Sequence, residues 1–142
     1  MIYTHYHCFG DKVGDRYYIS KKWLTKQLDY MTDNSREFCI TIDDGHKSIY
    51  EVAYPVLCKY SIPVIIFLTT SELKNRNLNT AQIKEMASNG IVFQSHSHSH
   101  MNHYLLSKKN IINEGIRSKK IIEDLIGSSV TQYAFPHGTY NY

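Results

Sequence analysis

Two adjacent aspartates, Asp43 and Asp44, follow the apolar run of residues 38–42 and precede Gly45. An apolar, β-branched pentad of this kind predicts a strand that is buried on both faces. Two carboxylates beside an apolar core cost free energy unless a bound ion, a hydrogen-bond partner or a reaction uses their charge. Proteins with α/β folds also carry their active and binding sites where strands run into loops. Asp-Gly is also a common turn sequence, and Asp44 could cap the next helix. The motif by itself therefore fits functional chemistry and turn chemistry equally well.

Strand and helix patterns alternate along the chain. Continuous apolar or alternating runs predict strands over residues 2–7, 38–42, 64–68, 91–93 and 130–135. Helical spacing with polar N-caps predicts helices over residues 20–31, 49–60, 80–89 and 107–126. Pro55 should kink the second helix or shift its start. Such alternation predicts an α/β fold with a parallel sheet flanked by helices.

Polar groups follow four of these predicted strands. They are His7 after the first, Asp43 and Asp44 after the second, residues 96–100 after the fourth, and His137 after the fifth. The carboxyl ends of parallel strands lie at one rim of a sheet, so we expect these groups to converge. This convergence favours the functional interpretation of the aspartate pair.

Four histidines lie within residues 96–103, directly after a predicted buried strand. His96 and His100, four residues apart, would share one side of a helical turn or tight loop, whereas His96, His98 and His100 would share one face of an extended strand. Two histidines and one carboxylate form a frequent open set for catalytic zinc, and imidazole with carboxylate suits Zn, Fe, Co or Ni better than Mg or Ca. A His-rich surface loop is the alternative, but four histidines after a buried strand favour a metal site.

The aspartate pair allows a division of labour at such a site. Adjacent side chains in non-helical backbone point in different directions, so one carboxylate can bind metal while its neighbour accepts a proton from water. Together with the histidines, this arrangement predicts a metal-assisted hydrolase.

The composition excludes several other classes. The chain of 142 residues is expected to form one domain. Its net charge of +3 comes from scattered Lys and Arg residues, which is not typical of a nucleic-acid-binding surface. No apolar run is long enough for a membrane span, and residues 1–5 lack the features of a signal peptide.

Three motifs, in order, resemble those of the polysaccharide deacetylases, also called the NodB-homology domain or carbohydrate esterase family 4. Residues 41–45 (TIDDG) resemble the first motif, and residues 96–100 (HSHSH) the second, a His-Ser/Thr pair with another His four residues after the first. Residues 133–141 (YAFPHGTYN) resemble the third. Residues 6–7 and 27–30 are similar to the branch that acts on poly-N-acetylglucosamine and related glycans.

The resemblance implies a role for each matching residue. Asp43 would be the general base, and a divalent ion, zinc before Co, Ni or Fe, would be bound by three ligands: Asp44, His96 and His100. Ser97 would support the second motif by hydrogen bonding. The backbone N–H of His137 would help to hold the oxyanion, and substrate-binding positions would be Pro136 and Tyr140. The implied reaction removes an N-acetyl, less often O-acetyl, group from an acetylated glycan and releases acetate.

The sequence departs from the family pattern at three places. Ala134 stands where many members carry an arginine that orients the base, and His137 replaces the usual aromatic residue. The sequence also ends at Tyr142, before the expected Leu-x-His motif that carries the general acid. His5, His7, His98 and His103 are not assumed to replace it. Residues 1–142 are therefore expected to be the N-terminal portion of one deacetylase domain, a partial distorted (β/α) barrel.

Two other functions remain open at the level of sequence. One is a catalytically incomplete chain that binds metal or glycan but lacks the general-acid histidine. The other is a different metal-dependent hydrolase on a related barrel, such as an amidohydrolase.

Overall fold

The structure is a computed structural model that describes residues 1–12, 14–73 and 76–139. The strands are β1 (Ile2–Tyr6), β2 (Cys8–Phe9), β3 (Tyr18–Ile19), β4 (Phe38–Ile42), β5 (Val64–Leu68) and β6 (Val92–Ser95). The α-helices are α1 (Lys21–Asp33), α2 (Tyr54–Leu57), α3 (Thr80–Ser88) and α4 (Lys108–Ile126). Short 3-10 turns cover Thr70–Glu72, His103–Leu105 and Pro136–Gly138.

The main sheet is parallel, with the order β1-β4-β5-β6. Successive strands are neighbours, and helices lie between them in sequence, which confirms the predicted α/β fold and corresponds to part of a (β/α) barrel. The register places Tyr6 beside Ile42, Ile42 beside Ile66, and Ile66 beside Phe93. The residues that follow β1, β4 and β6 therefore emerge at one edge of the sheet.

Apolar side chains on one face of the sheet pack with the helices to form the core. Ile40 and Ile42 of β4 and Ile66 of β5 are fully buried, and α1 packs its Leu24 and Leu28 into the same cluster. The leucines are four residues apart and so lie on one face of α1. Burial on this scale contributes about 25 cal/mol per Å² of apolar surface. It fixes the strands whose ends carry the aspartates and histidines.

The predicted last strand, residues 130–135, is wrong as a strand. Only Tyr133 forms an isolated parallel bridge, with Ser95 at the open edge of β6. The backbone N–H groups of Thr131 and Gln132 donate to the side-chain oxygen of Gln94 instead of to a strand carbonyl. Because a side chain takes these donors, a regular ladder does not form, although the segment still lies beside β6.

Several predicted boundaries also moved. Pro55 lies in the first turn of α2, where a missing N–H is tolerated, and a π-helical turn over Ile49–Ala53 precedes it. The predicted strand at residues 91–93 forms as Val92–Ser95 and so includes two buried polar residues. Within the described residues, no helix has both the length and the apolar character that crossing a membrane requires.

Candidate active site

The end of β4 positions the two aspartates. The backbone N–H of Asp43 donates to the carbonyl of Tyr6, which continues the pairing with β1. The carbonyl of Asp44 accepts hydrogen bonds from Thr69 N–H (3.4 Å) and from the side-chain amide of Asn77 (3.1 Å). Asp44 itself has φ +68°, a conformation that L-residues other than Gly, Asn and Asp seldom adopt. The turn therefore directs the two adjacent carboxylates differently.

The end of β6 positions His96. Its backbone N–H donates to the carbonyl of Leu68 (2.9 Å), and its ring Nδ1 lies 2.9 Å from the carbonyl of Ala134. A carbonyl only accepts hydrogen bonds, so Nδ1 carries the proton and Nε2 presents a lone pair. Burial lowers the pKa of His96 to about 4, which keeps the ring neutral near pH 7. The ring of His96 is therefore neutral, with Nδ1 held by the backbone carbonyl and Nε2 free to bind a metal ion.

Residues 97–100 form a tight loop held by two side chains. Ser97 Oγ accepts a hydrogen bond from the backbone N–H of His100 (2.9 Å). One carboxylate oxygen of Glu114, on α4, accepts the N–H groups of His98 (2.9 Å) and Ser99 (2.7 Å). These bonds fix the path of the backbone between His96 and His100. The sequence places Glu114 on the helix that follows the histidines, but no sequence pattern indicates that its carboxylate binds the backbone of the histidine loop.

Asp44, His96 and His100 form a group suited to a metal ion. Asp44 Oδ1 lies 3.5 Å from His96 Nε2 and 3.2 Å from His100 Nε2, and the two ring nitrogens are 3.2 Å apart. Ligands bonded to zinc at about 2.0–2.1 Å in tetrahedral geometry lie roughly 3.3–3.4 Å from each other. Three donor atoms at these separations, one of them on a neutral buried histidine, fit a divalent transition metal.

Asp43 lies beside this group, and the pKa of its carboxyl is raised. It is 8% exposed, its Oδ2 is 3.6 Å from His96 Nε2, and its buried Oδ1 accepts no hydrogen bond from the described residues. Burial and the neighbouring charge of Asp44 raise the pKa of Asp43 to about 7. For Asp44, burial would also raise the pKa, but the hydrogen bond and charge of His100 lower it overall. The two adjacent carboxyls are therefore electrostatically different.

Backbone strain is concentrated in the same place. Among the described residues other than glycine, positive φ angles occur at Asp44, Ser97, His100 and His137. Such conformations cost on the order of 1–3 kcal/mol each and persist where surrounding contacts impose them. All four lie within the three motifs, and strained residues of this kind cluster at functional sites. The strain therefore supports the assignment of this rim of the sheet as the functional site.

The site opens into a cavity of about 600 Å³. Its walls include His5 and His7 at the end of β1, Tyr17 and Tyr18 at the start of β3, and His137. His5 was not expected at the site, and its Nε2 lies 3.5 Å from Asp43 Oδ2. The parallel pairing of β1 with β4, rather than any motif, brings these two imidazoles beside the aspartates.

The third motif lies on the other side of the cavity. The ring of His137 contacts the ring of His100, with centroids 4.7 Å apart. Phe135, His137 and Gly138 line the cavity, whereas Pro136 is buried. The expected substrate contact at Tyr140 lies outside the described residues. The roles assigned to Pro136 and His137 remain predictions.

Two histidines of the cluster face elsewhere. His98 Nδ1 is 2.8 Å from Thr70 Oγ1. His103 is fully buried and bonds to the carbonyl of Met101 and the hydroxyl of Tyr133. Spacing alone did not choose among these four histidines; of the four, the fold brings His96 and His100 to the aspartates.

Sequence comparisons match the chain to one family. The model of the family described as polysaccharide deacetylase matches residues 31–142. A putative polysaccharide deacetylase of Bacillus subtilis, YxkH, is 35% identical, with 72% of this chain and 37% of that protein aligned. A poly-beta-1,6-N-acetyl-D-glucosamine N-deacetylase of Staphylococcus aureus is 32% identical over 75% of this chain and 42% of that protein. The chain thus spans about two fifths of the length of these curated relatives.

Solved structures with the same fold include PplD and IcaB. The Streptococcus pyogenes deacetylase PplD, in complex with acetate, superposes with a TM-score of 0.91 at 23% identity, over 98% of this chain and 74% of that one. IcaB from Ammonifex degensii superposes with a TM-score of 0.82 at 22% identity, over 98% of this chain and 76% of that one. At these identities the likeness establishes the fold.

Proposed function

Because this chain belongs to the polysaccharide deacetylase family, we propose that it is a metal-dependent hydrolase that removes N-acetyl groups from a glycan and releases acetate. The observation that carries the proposal is the set of Asp44, His96 and His100 at metal-ligand separations, with the buried carboxyl of Asp43 beside it. The name of the Staphylococcus aureus relative supports poly-N-acetylglucosamine as the substrate class.

Asp44, His96 and His100 would hold the ion, with zinc the first choice and Co, Ni or Fe as alternatives. When bound, such an ion supplies a Lewis acid for the acetyl carbonyl and for the attacking water. Ala134 and Ser97 orient two of these ligands, His96 and His100. The carbonyl of Ala134 fixes which nitrogen of His96 faces the site, and Ser97 holds the backbone of His100.

Asp43 takes the proton of the attacking water in this mechanism. A carboxyl with a pKa of about 7 is a stronger proton acceptor than an ordinary aspartate and is still ionised in a large fraction of molecules near neutral pH. Its neighbour Asp44 has a pKa below the usual range and stays charged as a ligand. Environment thus separates the roles of two identical side chains.

The remaining steps need an oxyanion donor and a proton for the leaving amine. We assign the first to the backbone N–H of His137, which lies in a left-handed turn at the cavity. We assign no residue to the second, because His5 in its neutral form presents the Nε2 lone pair, and not a proton, to the cavity. His5 and His7 line the same cavity and lie next to Asp43.

Acetate release from N-acetylglucosamine oligomers by the zinc-loaded chain tests the proposal. Asp43→Asn should keep the metal and lose about 10²–10⁴-fold in turnover, the usual contribution of a general base. Asp124→Asn, at an exposed aspartate on α4, is the matched control and should retain activity. Bound metal without acetate release from any acetylated glycan would reject the proposal in favour of a metal- or glycan-binding role. Hydrolysis of small cyclic amides alone would point to an amidohydrolase.

A further inference from the structure

A second group of possible ligands lies on the other side of Asp43. Single donor atoms of His5, His7 and Asp43 all lie within 4.8 Å of one another. The rings of His5 and His7 are in edge contact, with centroids 4.8 Å apart. This group shares no residue with Asp44, His96 and His100.

The hydrogen bonds of His5 determine which ring nitrogen faces Asp43. Thr41 Oγ1 donates its single proton to the carbonyl of Thr4 (2.9 Å), so it can only accept from His5 Nδ1, which is 3.2 Å away. In the neutral ring, Nδ1 therefore carries the proton and Nε2 presents a lone pair. The side chain of β4 thus fixes the tautomer of a histidine on β1.

That lone pair faces a carboxylate oxygen. His5 Nε2 and Asp43 Oδ2 are 3.5 Å apart, so two acceptors lie opposite each other. The other oxygen of Asp43, Oδ1, is buried and has no hydrogen-bond partner among the described residues. A metal ion bound between His5 Nε2 and Asp43 Oδ2 would accept the lone pairs of both atoms. Their separation of 3.5 Å is close to the distance of about 3.3–3.4 Å expected between two ligands of tetrahedral zinc.

We propose that His5, His7 and Asp43 form a second site for zinc or a similar divalent transition metal, and that filling it inhibits the enzyme. This site should be weaker than the first, because the side chain of His5 is 51% exposed and must be ordered on binding, whereas the side chain of His96 is 3% exposed and already held. Asp43 is the base in the proposed reaction, so an ion that binds its carboxylate removes the proton acceptor. The inhibitory effect rests on the proposed function, whereas the binding site does not.

Zinc titration of the metal-free chain, followed by calorimetry, tests the binding site directly. The wild-type chain should bind two zinc ions, one tightly and one more weakly. His5→Gln and His7→Gln should each lose the weaker ion and keep the tight one. The matched control is His98→Gln, because His98 bonds to Thr70 and belongs to neither group; it should still bind two. Circular dichroism establishes that each variant is folded.

Two binding results would overturn the proposal. One is a wild-type chain that saturates with a single zinc ion, which would mean that a proton rather than a metal lies between His5 and Asp43. The other is retention of both ions by His5→Gln and His7→Gln.

An activity measurement separates this inference from the proposed function. Acetate release should rise as the first ion binds and fall as the second binds. Two bound ions with undiminished acetate release would overturn the inhibitory role. A chain that releases no acetate at one zinc ion would contradict the proposed function, while the titration would still decide the second site.

Discussion

The Nε2 atoms of His96 and His100 lie 3.2 Å apart, on residues that are separated by one tight loop. Two ring nitrogens at this distance need a proton or a cation between them. Nδ1 of His96 already donates to the carbonyl of Ala134, so its Nε2 is an acceptor. This contact, with the carboxylate of Asp44 as the third donor, assigns the first metal site to two of the eight histidines.

His100→Gln should greatly reduce zinc affinity. The substitution removes one of three ligands, so the loss should exceed the roughly 10–100-fold that follows removal of an outer hydrogen-bond partner. Competition with a chromophoric chelator measures the affinity. His98→Gln, two residues away, should change it little, and equal effects of the two substitutions would show that the ligand set is wrong.

Glu114→Gln should lower zinc affinity without removing a ligand. The charged carboxylate accepts two backbone N–H groups of the histidine loop, and hydrogen bonds to a charged acceptor are roughly twice as strong as neutral ones. We expect a loss of about 10-fold, at the lower end of outer-partner effects. The same chelator competition measures it.

The matched control for Glu114 is Glu123→Gln on the same helix. Glu123 also accepts a backbone N–H, from Val130, but that contact lies away from the histidine loop. Its substitution should leave zinc affinity unchanged. If both variants lose affinity equally, Glu114 acts through general stability of α4 rather than through the loop.

The contribution of Glu114 to stability should depend on pH. Burial alone would raise the pKa of Glu114, but the backbone N–H groups of Ser99 and His98 lower it overall, below the ordinary value of 4.5. A lowered carboxyl pKa gives stability that is complete above 4.5 and is lost as pH falls through the folded-state pKa. In urea unfolding of the metal-free chain, the gap between wild type and Glu114→Gln should therefore shrink in acid. A gap that is independent of pH would contradict the ionic role.

Gly45→Ala should destabilise the chain by about 1–3 kcal/mol and disturb the aspartate turn. Gly45 has φ +83°, and a Cβ there would lie 2.6 Å from the buried Leu68 Cδ2. The control is Gly90→Ala, which has a similar φ of +90° but no atom within 4 Å of the added Cβ. Thermal unfolding of both variants should show the larger loss of stability for Gly45→Ala. Equal losses of stability would exclude the clash with Leu68 as the cause.

The sequence predicted the helices and central strands well because their patterns are local. Leu24 and Leu28 recur at helical spacing, and the pentad of β4 is apolar throughout. Two of the polar N-caps are Asn79 and Ser107, whose side chains each accept the backbone N–H three residues further along the chain. The predicted strand at residues 130–135 failed because a side chain distant in sequence, Gln94, accepts two of its backbone N–H groups, those of Thr131 and Gln132. No local pattern contains that contact.

The sequence by itself determined the family, through three motifs, and with it the expectation of metal and base at residues 43–44 and 96–100. Only the tertiary structure selected among the four clustered histidines and brought His5 to Asp43. That distance depends on the pairing of β1 with β4, in which His5 and Thr41 are neighbours although they are 36 residues apart along the chain. It also revealed that Glu114, on a separate helix, holds the histidine loop. Residue types and spacing record which chemistry is available, whereas parallel strand pairing decides which of those groups meet.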